Sequence, residues 1–228
     1  MFDELRRLPH PTIVALIVTA AAVFFFGAAF APDLIPDYGV VPSKLTAAWS
    51  DLVAGRWSLS AAAVLLTAVF SLFLHGGVEH ILLNMVFLWV FGTLVSEHLG
   101  KWWALGVFFL TGVCGNVVQV CLNFESDIPI VGASGAVCGL EGVYLGLALR
   151  WRLRWPDVWP LAHPIPPSQL AIFATLGAAY DIYSLASGNP GIAYGAHVGG
   201  FVSGLLIAAA ITQIFPTDTS FQKSGWRL

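Results

Sequence analysis

Leu59-Ser60-Ala61-Ala62-Ala63-Val64-Leu65-Leu66-Thr67-Ala68-Val69-Phe70-Ser71-Leu72-Phe73-Leu74 runs into His75-Gly76-Gly77, and its reading sets the topology of the whole chain. These 16 residues are apolar but short of the roughly 20 that a transmembrane helix needs. Such a length suits a re-entrant or interfacial segment. The segment therefore belongs to a long first loop, 32–77, with Asp33, Asp37, Lys44, Asp51 and Arg56. Were it a true span, everything after it would face the other way.

On either side of it, charge is scarce. Of 228 residues, 57% are hydrophobic and 10% charged, against about 45–50% and about 25% in soluble domains. Mean hydropathy is +0.80. This composition excludes a soluble globular domain and a disordered chain. A net charge of −3 leaves no basic footprint for nucleic acid. Three cysteines without a CxxC pair exclude a disulfide scaffold and a thiolate zinc site. Charge-poor runs predict spans at 11–31, 78–97, 103–123, 134–150, 168–186 and 193–214. The expected fold is an all-α polytopic membrane protein in one domain, 1–228: a tail at 1–10, a six-span core at 11–214 and a tail at 215–228.

Lys and Arg set the orientation. With six spans and the N-terminus inside, Arg6, Arg7, Lys101, Arg150, Arg152, Arg154, Lys223 and Arg227 lie inside, and only Lys44 and Arg56 outside. A seven-span chain starting outside scores the same, so the shortness of 59–74 decides. The first apolar stretch is long enough to stay as a span, and no cleavage site accompanies it. Trp155 to Pro167 reads as an inner, Pro-rich loop.

Polar residues at membrane depth mark function: His80, Asn84, Asn116, Gln119, Ser134, Glu141, Asp181 and His197. In the six-span reading Ser134 opens span four, His197 lies about four residues into span six, and His80 and Asn84 lie in the first turns of span two. All fall near one outer-leaflet depth. His80 and Asn84, at i and i+4, share a helix face. Gly135, Gly139, Gly142 and Gly146 on span four, and Gly195, Gly199, Gly200 and Gly204 on span six, allow close helix approach. A Ser hydroxyl beside an imidazole is the minimal activated nucleophile, and His80 and Asn84 supply donors for an oxyanion.

Singly, these residues have plainer readings. Ser134 is a packing residue, Asn84 interhelical glue, His197 a cavity lining, and His75 an interfacial ring that reaches water. Four of them at one depth outweigh those readings. There is no HExxH, and His75 to His80 has the wrong spacing for HxxEH. The six histidines are scattered, so no metal-ligand set is expected and no cofactor is implied. An aspartyl protease needs two facing aspartates, and only Asp181 lies in the membrane. A proton-linked transporter using Glu141, Asp181 and His197 stays open.

Three segments resemble the motifs of rhomboid intramembrane serine proteases. Gly132-Ala133-Ser134-Gly135 matches GxSG, His80-Ile81-Leu82-Leu83-Asn84-Met85 the His-and-Asn motif of the second span, and Ala196-His197-Val198-Gly199-Gly200 the AHxxG motif. Leu74-His75-Gly76-Gly77 also looks like the family, and similarity runs from about 59 to 214. The resemblance implies a catalytic Ser134–His197 dyad with no acidic third member. It also implies an oxyanion hole from His80, Asn84 and the Ser134 N–H. No metal or cofactor is implied. Expected partners are single-span membrane proteins, cut near the outer face, and the lipid bilayer, with no nucleic acid. The expected location is a bacterial inner membrane, both termini cytoplasmic. Glu97-His98-Leu99-Gly100 looks like the family's turn after span two.

The chain departs from the pattern in three places. Cys138 stands four after Ser134, where many rhomboids carry an aromatic residue beneath the His ring. Arg56-Trp57 replaces Trp-Arg in the first loop, and Glu141 has no assigned role. Two alternatives stay open: a catalytically silent rhomboid-like protein that binds membrane clients, and the small proton-linked transporter. Span five and the loop 186–193 are expected to move when substrate is admitted.

Overall fold

Charge-poor stretches closed by Gly, Pro or a polar turn become helices almost where the sequence places them. The computed structural model describes residues 10–153 and 165–215. Helix α1 (Pro11–Phe30) starts on a proline, whose missing N–H is no loss in a first turn. The first loop is itself helical: α2 (Leu34–Tyr38), α3 (Pro42–Val53), and α4 (Leu59–Phe70) with a 3-10 turn at Ser71–Phe73. The Ser58 hydroxyl caps α4 by accepting from the Ala61 N–H at 3.1 Å. Then come α5 (Val78–Leu99), with a π-helical turn at Leu88–Gly92, and α6 (Lys101–Leu122). The last three helices are α7 (Ser134–Ala148), α8 (Pro167–Ala186) and α9 (Tyr194–Ile214).

The molecule is a helical membrane protein. Helices α1, α5, α6 and α9 are long and apolar enough to cross a bilayer. The predicted spans 134–150 and 168–186 correspond to helices outside that set. Helix α7 has only 15 residues, and α8 carries Ser168, Gln169 and Asp181 among its apolar residues. Arg6, Arg7, Arg154, Lys223 and Arg227, both predicted tails beyond His10 and Phe215, and most of the Pro-rich loop lie outside the described residues.

Helix α7 forms the centre of the bundle. Twelve of its fifteen residues are buried, Leu140, Val143, Tyr144 and Leu147 completely. It meets α9 along a seam of glycines, because small residues let backbones touch. A Cβ on Gly200 would strike the Gly135 carbonyl, and one on Gly204 the Gly139 carbonyl. The segment 59–74 is tied inward from α6: the Asn116 amide donates to the Ala68 carbonyl at 2.9 Å and to the Ser71 hydroxyl at 3.0 Å. The first loop is also stitched to the segment before α7. Val40 and Ile130 exchange backbone hydrogen bonds, and the Ser43 hydroxyl donates to Asp127 at 2.6 Å.

Candidate active site

Ser134 is the first residue of α7 and His197 the fourth of α9. Between them Gly135 faces the Ala196 carbonyl, 3.1 Å from where a Cβ would stand. The seam that joins the two helices therefore also sets the Ser and the His on either side of one backbone contact. Among the described residues no hydrogen bond closes between the Ser134 hydroxyl and His197; the imidazole's polar contact is with Asp181.

His80 and Asn84 stand on the first turns of α5 and meet the segment before Ser134. Gly132, at φ +118°, is in the left-handed region that glycine tolerates. A Cβ there would lie 2.6 Å from His80 Nε2 and 3.7 Å from Asn84 Nδ2. The Gly132 N–H donates to the Ser71 carbonyl at 3.0 Å, so the 59–74 segment holds this loop down. His80 Nδ1 accepts from the Gly76 N–H at 3.4 Å, which leaves Nε2 as the protonated nitrogen of the neutral ring, directed at Gly132. Asn84 donates one amide hydrogen to the His80 carbonyl at 3.0 Å, leaving the other for a ligand.

His75 departs from its expected place. It is 4% exposed, not a ring reaching water. Its ring lies edge-on to His80 with centroids 5.1 Å apart, and Nδ1 contacts the Phe73 carbonyl at 3.3 Å. Burial, and then the neighbouring His80, push its pKa down to about 4. It is therefore a neutral packing partner that fixes the His80 ring.

His197 has close polar and aromatic company. Asp181 of α8 places Oδ1 3.2 Å from His197 Nδ1. The Cys138 thiol lies 4.0 Å from Asp181 Oδ2, and Tyr194 presents an edge-on ring 6.0 Å from the imidazole. Where an aromatic residue was expected at 138, the ring is held instead by Tyr194 and Asp181. Cys138, Asp181 and His197 offer ligand atoms within 4.8 Å of one another, which corrects the expectation that no metal-ligand set exists. Glu141 faces α8 rather than lipid. It is buried, and its Oε2 lies 4.0 Å from where a Gly177 Cβ would stand. Asn116 anchors α4, and Gln119 packs against Gly195; neither belongs to the cluster.

The Asp181 signal was present in the sequence as depth. Asp181 lies five residues before the end of α8 and His197 three after the start of α9, on opposite sides of one short loop. Antiparallel neighbours then set the two at one level.

A family model described as the Rhomboid domain matches residues 62–214. The chain belongs to the rhomboid family. Among rhomboid relatives, YdcA of Bacillus subtilis (strain 168) is 32% identical over 148 residues, 65% of this chain and 67% of YdcA. RHOMBOID-like protein 4 of Arabidopsis thaliana is 32% identical over 135 residues, 59% of this chain and 31% of that protein. Inactive RHOMBOID-like protein 8 of the same plant is 30% identical over 131 residues, 57% of this chain and 33% of that protein. The chain thus spans about a third of the length of these two plant relatives. The rhomboid family holds intramembrane serine proteases together with members named inactive.

Proposed function

We propose that this rhomboid protein is a serine endopeptidase that cuts single-span membrane proteins near their outer boundary. In this reading the chain crosses the membrane six times, with both termini cytoplasmic in a bacterial inner membrane. Ser134 is the nucleophile and His197 the general base. His80, Asn84 and the Ser134 N–H bind the oxyanion. The observation that carries the reading is the shared Gly135–Ala196 contact, which flanks Ser134 and His197 while His80 and Asn84 converge on Gly132. The lack of a closed Ser134–His197 hydrogen bond is compatible with it, because catalytic hydrogen bonds often tighten only when substrate binds.

Helix length supports the site's depth. A helix of fifteen residues spans about 22 Å at 1.5 Å per residue, short of the ~30 Å hydrocarbon core. In this reading the deficit falls at the start of α7, below loop 123–133, so that water reaches Ser134. Peptide hydrolysis needs that water.

Ser134→Ala and His197→Ala should each abolish cleavage while leaving the protein inserted and folded, since nucleophile and base act as a unit. A serine-directed fluorophosphonate should label wild type at Ser134 alone. Full activity in Ser134→Ala would end the protease reading and favour a client-binding protein, the role left to a rhomboid without chemistry. The contact of His197 with Asp181 gives the transporter reading its one observation. Proton flux across proteoliposomes, unchanged in Ser134→Ala, would favour it. Orientation is tested by single cysteines at 50, 187 and 224 in a background lacking Cys114, Cys121 and Cys138. Ser50→Cys and Ser187→Cys should react with an impermeant reagent from outside, and Ser224→Cys only after permeabilisation.

A further inference from the structure

An imidazole that serves as a base must present one nitrogen lone pair to the nucleophile and keep its proton on the other. In His197 the second nitrogen stands beside a carboxylate. Asp181 Oδ1 stands 3.2 Å from Nδ1, with both side chains about 85% buried, so solvent does little to compete for the contact. The other carboxyl oxygen, Oδ2, faces the Cys138 thiol at 4.0 Å, and Tyr194 closes one edge of the ring. A carboxylate accepts hydrogen bonds and donates none. The Nδ1–Oδ1 contact therefore selects the tautomer with hydrogen on Nδ1 and a free pair on Nε2.

We propose that Asp181 is a positioning residue for His197: it holds the ring with Nδ1–H donated to Oδ1 and offsets the positive charge formed on the imidazole during catalysis. This rests on the reading of Ser134 and His197 as nucleophile and base. In acylation the Ser134 O–H bond breaks as Oγ bonds to the substrate's carbonyl carbon, and that proton moves to Nε2. The carbonyl electron pair moves onto oxygen, facing His80, Asn84 and the Ser134 N–H. Collapse of the intermediate breaks the C–N bond, and the Nε2 proton passes to the leaving amine. In deacylation water gives its proton to Nε2 and its hydroxyl to the acyl carbon, and the proton returns to Oγ. Asp181 takes no proton at any step; it stays beside a ring that is cationic twice per turnover, the task a buried carboxylate performs in soluble serine-protease triads.

The competing use of the same atoms is a divalent cation held by Cys138, Asp181 and His197. It would occupy Nδ1 in place of the proton, and the two arrangements exclude each other.

The test uses the full-length protein in detergent with a membrane-protein substrate, comparing wild type with Asp181→Asn and Asp181→Glu. Asparagine keeps the shape but can donate to Nδ1 and favour the wrong tautomer. Its kcat should fall at least tenfold, towards the ~10⁴-fold loss known for this change in a triad. KM should stay within about threefold, because tautomer choice does not touch substrate binding. Asp181→Glu should recover part of kcat. Thermal unfolding of each variant separates this from loss of fold. A readout independent of activity is ¹⁵N NMR of histidine-labelled protein. His197 should carry its proton on Nδ1 in wild type and lose that preference in Asp181→Asn. Wild-type kcat in Asp181→Asn, or a His197 Nδ1 without a proton in wild type, overturns the proposal. So does activity lost to EDTA and restored by zinc, which would assign the three side chains to a metal. A wild-type protein that neither cleaves nor reacts with fluorophosphonate refutes the protease reading alone, since the NMR still decides the Asp181–His197 pairing.

Discussion

Helices α7 and α8 both reach His197, and they are built on opposite plans. Helix α7 has twelve of fifteen residues buried and touches α9 backbone to backbone through glycines. Helix α8 has three of twenty buried, Leu170, Ala174 and Ser184, and leaves Ile172, Phe173, Leu176, Tyr180, Ile182 and Tyr183 exposed. A seam without side chains has no slack, since any displacement opens a void or a clash. A helix resting on side-chain tips can move without leaving a hole. The nucleophile and the base thus stand on the rigid pair, while the carboxylate that meets the base stands on the loose helix. If substrate passes by displacing α8, that passage also draws Asp181 away from Nδ1, and the base is set only when α8 returns.

The sharpest way to probe this division is to remove a group from the rigid side that meets only the transition state. His80→Ala should lower kcat by on the order of 10²–10³, as loss of one oxyanion donor does elsewhere, with KM little changed. Asn84→Ala should act in the same sense, less strongly if the donors overlap. A rise in KM with kcat intact in both variants would reassign the pair to substrate binding.

Next in size is a matched pair of helix glycines. Gly200→Val drives a side chain into the Gly135 carbonyl and should cost about 1–3 kcal/mol or more as overpacking, with loss of cleavage as α7 and α9 part. On α8, Gly177 has only Glu141 Oε2 at 4.0 Å from its Cβ position. Gly177→Ala should therefore be neutral or stabilise by up to ~1 kcal/mol through reduced backbone freedom. Thermal unfolding in one detergent reads both. Equal melting temperatures for Gly200→Val and wild type would dissolve the contrast between the helices.

Much of this was legible because charge is expensive in a bilayer. The predicted limits 11–31, 134–150 and 193–214 stand against Pro11–Phe30, Ser134–Ala148 and Tyr194–Ile214. Ser134, His80, Asn84 and His197 could be grouped because each sits at a helix start, where sequence position reports depth. Side-chain facing was not legible. In water an apolar stripe reveals the buried face, but in lipid both faces are apolar, so nothing in Leu170 or Ile172 says which one turns inward. The Val40–Ile130 bridge joins segments ninety residues apart that carry no shared pattern. His75 looked interfacial because its burial depends on Phe73 and His80 folding over it. In the sequence Asp181 is only a polar residue at membrane depth, because its partner is chosen by the antiparallel pairing of α8 with α9.

The smallest expected effect is also the one most specific to movement. Where α5 meets α8, Phe87 and Phe173 stack with ring centroids 5.7 Å apart and planes at 18°. A stacked pair contributes about 0.5–1.5 kcal/mol beyond the area it buries, which is a small barrier, yet it lies across the space between the two helices. If α8 must swing from α5 to admit a transmembrane substrate, Phe87→Ala lowers the cost of opening. The gain is bounded by the stacking energy: at 1.4 kcal/mol per factor of ten, kcat/KM for a membrane-embedded substrate should rise by roughly two- to tenfold. A short soluble peptide that reaches Ser134 from the aqueous side needs no such opening, so its kcat/KM should not change. Labelling of Ser134 by a small fluorophosphonate should be equally indifferent. The contrast between the two substrates is the decisive quantity, because a general loosening of the fold would move both. Equal rises for peptide and membrane substrate would show that the stack governs the site itself, and α8 would no longer be the moving part.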